Sequence, residues 1–154
     1  MKWLTLPFLA PTRVLIPIAL RAFLGFSFFV MHGLSKVQPG GEWDGGQAWV
    51  AKHAKDAPEF LFYIAAWTEL LGGLALLMGL LTRWASLGLA GVMAYAVFVV
   101  HWKNGFPFVD GGKLVGGYEF AALYGIACVV LAITGPGSLS LDRLFFGRAA
   151  VNAD

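Results

Sequence analysis

The chain reads as an all-α integral membrane protein, a bundle of four transmembrane helices with both ends on the cytoplasmic side (N-in, C-in). Three observations predict this. Hydrophobic residues make up 58% of the sequence and charged residues only 13%, and the mean hydropathy of +0.72 lies outside the range of water-soluble domains. The apolar residues gather into four long stretches. Four spans of about 20 residues each, with their connections, use nearly all of the 154 residues, so the chain is read as a single transmembrane domain over residues 1–154 with no room for a separate soluble catalytic unit.

The first span is placed at about residues 14–37 and the second at about 60–81, separated by an extracytoplasmic loop over 38–59. The third, about 84–102, follows at once after a tight Thr82-Arg83 link. The fourth, about 118–134, ends at Gly135-Pro136-Gly137, a helix-stopping sequence. Within the first loop, residues 44–54 read as a short capped amphipathic helix at the membrane surface, placed to act as a lid. The start Met1-Lys2-Trp3, followed by Pro7 and Pro11, does not read as a cleavable signal peptide.

Basic residues do not orient the bundle by number. Lys2, Arg13, Arg83, Arg143 and Arg148 fall on the terminal side, against Lys36, Lys52, Lys55, Lys103 and Lys113 on the other. The near absence of the second connection favours the cytoplasm for the terminal side. Trp3 and Trp84 fall near one interface, and Trp43, Trp49 and Trp102 near the other, as interfacial anchors do. A net charge of +2 spread along the chain leaves no nucleic-acid footprint. A lone Cys128 in an apolar run excludes an internal disulfide or a paired-thiol redox motif.

Chemistry is sought among the ionisable groups inside the spans, because each costs about 2.5–3.5 kcal/mol at a helix centre and needs a partner or a role. Arg21 and His32 are eleven residues apart, which in a regular α-helix returns nearly to one face, and Lys36 follows His32 by a turn. Both basic side chains also have the alternative of snorkelling to opposite interfaces. Glu69 lies near mid-membrane and is expected to face protein, flanked by the small residues Ala65, Ala66, Gly72 and Gly73. A carboxyl at that depth is expected to be neutral unless Arg21 or another cation lies close. His101 closes the third span and Glu119 opens the fourth, so polar groups from all four helices gather in the loop-side half.

These same residues carry a resemblance. Leu20-Arg21-Ala22-Phe23-Leu24-Gly25 leads to His32-Gly33-Leu34-Ser35-Lys36, and Glu69-Leu70-Leu71-Gly72-Gly73 leads to Gly79 and Thr82. His101, Glu119-Phe120 and the closing Gly135-Pro136-Gly137-Ser138-Leu139-Ser140-Leu141-Asp142 complete the pattern. On them the chain resembles the DoxX family of four-helix bacterial membrane proteins over roughly residues 15–146. That resemblance implies a multi-pass protein of the bacterial inner membrane that handles quinone or supports a redox partner, since DoxX-like proteins resemble the DoxD subunit of thiosulfate:quinone oxidoreductases.

Three functional readings follow. In the first, the chain is the membrane subunit of a quinone-linked oxidoreductase system. Glu69 and His32 exchange protons with a quinone headgroup, and Arg21, Lys36, His101 and Glu119 help to bind it. A redox partner protein supplies electrons, because the sequence has no haem or flavin motif. In the second, His32, His101, Glu69 and Glu119 hold a metal, although their spacing is not a metal motif. In the third, the same groups are structural glue in a non-enzymatic assembly subunit or small-solute permease. The partner classes are the lipid bilayer, a redox protein and a second copy of the chain.

Overall fold

A computed structural model of the protein describes residues 15–37 and 58–147. The predicted lid over residues 44–54 and most of the first loop lie outside the described residues. Among those described, the order is α1 (Leu15–Val37), α2 (Glu59–Met78), α3 (Thr82–Asn104), a two-stranded hairpin of β1 (Val109–Asp110) and β2 (Lys113–Leu114), α4 (Glu119–Thr134) and the short α5 (Leu141–Phe146). Successive helices run antiparallel and pack side by side, and α4 returns to pack on α1.

The described residues include three helices long and apolar enough to cross a membrane, α1, α2 and α3. With 16 residues, α4 is equally apolar but rises only about 24 Å. The distribution of side chains suits an apolar solvent. Phe23, Ile64, Leu71, Leu87, Phe98, Ile126 and Ile133 are exposed on the outside of the bundle, while Leu24, Phe28, Leu76, Leu89, Cys128 and Leu131 fill its centre. Lipid supplies no hydrophobic force between helices, so close packing has to hold them. The small residues near Glu69 allow it. A Cβ added at Gly73 would lie 2.9 Å from the Phe28 carbonyl carbon, and one at Gly25 would lie 2.8 Å from the Leu77 nitrogen. The backbones of α1 and α2 therefore meet with no side chain between them.

Between α2 and α3 the structure corrects the expected boundary. Helix α2 stops at Met78, because Gly79 adopts the left-handed conformation (φ 68°) and the Leu80 amide turns back to the Ala75 carbonyl. The turn is therefore residues 79–81 rather than Thr82-Arg83, and α3 starts at Thr82. Leu81 also has positive φ, 48°, a strained choice for a side-chain-bearing residue. It is held there by a carboxylate from far along the chain. Asp142 accepts from the Leu81 amide at 2.5 Å and from the Thr82 amide at 2.8 Å, capping the start of α3.

Both histidine-bearing helices depart from α geometry on the loop side. Residues Ser27–Leu34 of α1 and Ala96–His101 of α3 form π-helix, whose i→i+5 bonding widens the turn. The eleven-residue interval from Arg21 to His32 then no longer marks one face. Arg21 is buried and His32 is exposed.

Candidate functional site

On the loop side the helices part around a cavity of about 380 Å³. Its polar lining is His32 and Lys36 from α1, Glu69 from α2 and His101 from α3. Met93, Val100, Phe108, Phe120 and Tyr124 supply much of the apolar wall. The two π segments deliver the two histidines, so the irregular stretches of α1 and α3 are the ones that open onto the cavity.

Glu69 is almost fully buried, and its Oε2 lies 2.5 Å from the Lys36 ammonium, whose side chain is 20% exposed. The cation beside Glu69 is thus Lys36, and not Arg21, whose guanidinium is taken up by backbone carbonyls. Burial of this kind strengthens the attraction but removes water from both ions, so a buried pair contributes little net stability and breaking it by removing one partner is costly. His101 sets its Nδ1 2.9 Å from the Gly116 carbonyl. A carbonyl only accepts, so Nδ1 carries the proton, and in the neutral ring Nε2 is left as an acceptor. His32 stands edge-on to Tyr124, with ring centroids 6.2 Å apart, and Tyr124 also packs edge-on against Phe28.

Two predicted residues are placed elsewhere. Glu119 is exposed and its carboxylate accepts from the Phe108 amide at 3.1 Å, so it holds in place the segment that carries Phe108 into the cavity wall. Arg21 is at the opposite end of the bundle. Its guanidinium donates from Nε to Leu76 O at 3.0 Å, and from Nη1 to Leu139 O at 2.7 Å and to Pro136 O. Leu76 is seven residues beyond Glu69, roughly 10 Å along α2. Buried beneath these contacts, Arg21 neither reaches the cavity nor snorkels to water.

Helix α4 instead contributes Tyr124, which the sequence reading passed over. Its hydroxyl is 3.0 Å from the Ser27 hydroxyl, anchoring α4 to the π segment of α1. The available signal was a phenol in the middle of an otherwise apolar span. The alternative metal set of His32, His101, Glu69 and Glu119 does not come together as a metal site. Among the described residues no three of His, Cys, Asp or Glu come close enough to share an ion.

Helices and cavity together define a multi-pass membrane protein with an ion pair and two imidazoles lining a cavity among its helices. The chain belongs to the DoxX family, whose model matches residues 16–102. A Haemophilus influenzae protein of uncharacterised function is 30% identical over 81% of this chain and 80% of its own length. The inner membrane protein YqjF of Escherichia coli is 34% identical over 59% of this chain and 66% of its own. CatD of Bacillus subtilis, whose name provisionally describes it as an oxidoreductase, is 34% identical over 82% of this chain and 84% of its own. No solved structure matches the fold. Family, relatives and apolar helices make this a multi-pass protein of the inner membrane, in contact with the lipid bilayer.

Proposed function

We propose that the chain is the membrane subunit of a quinone-linked oxidoreductase system, with the loop-side cavity as the place where a quinone headgroup is held. The observation that carries this reading is the Lys36–Glu69 pair set beside His32 and His101 in an apolar-walled cavity. A quinone, when bound, supplies two-electron, two-proton chemistry. The residues present fit such a group, since flat apolar walls suit the ring and donors and acceptors suit its two oxygens.

Lys36 donates to a ring oxygen and favours negative charge there. Glu69 and His32 hold and pass protons, and Nε2 of His101 accepts one. Met93, Phe108 and Phe120 keep bulk water from the exchange. Electrons come from a redox partner protein; the oxidoreductase class in the name of CatD supports a redox reaction at this level only. In the same reading α4 also crosses the membrane, its shortness compensated by local thinning, and both chain ends face the cytoplasm.

Two experiments test this. The protein isolated in mild detergent with its partner should show quinol-dependent turnover, and Glu69→Gln should lower that turnover by about 100-fold, the scale of a lost acid–base group. Unchanged turnover across pH would remove Glu69 from the mechanism. For orientation, in a Cys128→Ala background, a cysteine at Gly111 on the exposed hairpin should react with an impermeant thiol reagent in cells with a permeabilised outer membrane. One at Phe145 in α5 should not. The reverse pattern would invert the topology.

A further inference from the structure

We propose that the opposite end of the bundle carries a second site, a pocket for the phosphate headgroup of an anionic phospholipid, gripped by Arg21 and Arg143. It is independent of the quinone reading.

The pocket, about 630 Å³, lies between the end of α2 and the segment leading into α5. Its lining joins two arginines and Ser138 to the aliphatic side chains of Leu77, Met78 and Leu144. That mixture suits a ligand with an anionic head and apolar chains better than a free anion. The level is also right. Met78 ends one apolar span and α5 begins just beyond the end of α4, so the pocket sits where a bilayer places its headgroups.

Arg21 supplies the second observation. Its residue is 5% exposed, and its hydrogen bonds leave from Nε and Nη1. Among the described residues Nη2 has no hydrogen-bond partner. Arg21 also lines the pocket, so the two N–H donors of Nη2 are placed to meet a phosphate oxygen there. Asp142 acts on Arg21 electrostatically, but its two carboxylate oxygens are engaged by the Leu81 and Thr82 amides. Arg21 and Arg143 against Asp142 leave one net positive charge for the ligand. Arg143 is exposed, tied by a single long contact of 3.4 Å to the Ser138 carbonyl, and free to turn onto a headgroup. Exposed Leu144, Phe145 and Phe146 flank it and would lie among the acyl chains.

The test is lipid retention by native mass spectrometry of detergent-purified protein offered phosphatidylglycerol and phosphatidylcholine with identical chains. Wild type should prefer phosphatidylglycerol by about tenfold, the worth of one charge-assisted contact. Arg143→Gln, whose exposed side chain the fold does not need, should lose that preference, and Arg143→Lys should keep part of it. Excess inorganic phosphate should not displace the lipid. Equal retention of the two lipids, or full preference in Arg143→Gln, would overturn the site. Displacement by phosphate alone would show an anion site that does not recognise lipid.

Discussion

At the end of the bundle where α2 turns into α3, the charges close on backbone. Arg21 bonds three carbonyls, Arg83 bonds those of Ala132 and Ile133 at the end of α4, and Asp142 bonds two amides. At the loop-side end, Lys36 and Glu69 close on each other beside a cavity. The difference is physical. A backbone carbonyl at a helix terminus needs a donor for as long as the fold exists, because nothing in hydrocarbon can replace it. Two side chains paired across a cavity can part and pair with a ligand, each with its own rotamers. The first arrangement fixes helix ends, and the second is available for chemistry.

The largest effect that would sharpen this contrast is expected at Arg21. Arg21→Leu strands the carbonyls of Leu76, Pro136 and Leu139 and should lower stability by about 3 kcal/mol or more, seen as a collapse in folded yield and in the unfolding midpoint in detergent. A variant as stable as the parent would break the distinction between the two ends. A smaller effect is expected from Tyr124→Phe, which removes the bond to Ser27 but keeps the ring against His32. Stability should fall by about 1 kcal/mol in the same unfolding assay, with ligand binding at the cavity little changed. A large loss of binding at unchanged stability would instead put the phenol hydroxyl in contact with the ligand.

Much of the bundle was legible because lipid imposes a simple rule on composition. Apolar runs marked the helices to within a few residues, and the cost of burying charge singled out Glu69, His32 and Lys36 before any geometry was known. The partner of Glu69 was not legible, since a residue 33 positions away on another helix leaves no local trace. Arg21 was misplaced for a related reason. Its partners are backbone carbonyls, which every residue has, so no side-chain pattern announces them. The eleven-residue spacing to His32 also assumed a regular helix, whereas Ser27–Leu34 is π-helical. The end of α2 was set too late because Leu80 and Leu81 continue the apolar run past Gly79, whose left-handed backbone is what stops the helix. Asp142 stood in the closing motif, but its role depends on a turn 60 residues earlier.

The central claim, that the Lys36–Glu69 pair serves a ligand in the loop-side cavity whereas the backbone bonds of Arg21, Arg83 and Asp142 hold the fold, is tested most directly at the ion pair itself. Lys36→Met and Glu69→Gln should each destabilise by about 2 kcal/mol, below the range for a fully buried pair because Lys36 keeps some access to water. The double variant removes both charges and should return to within about 1 kcal/mol of the parent. Binding of a short-chain ubiquinone analogue to that double variant in nanodiscs is the deciding measurement. The account predicts a well-folded protein whose affinity has fallen by about tenfold or more, the loss of one charge-assisted contact. A well-folded double variant that binds the analogue as tightly as the parent would contradict it.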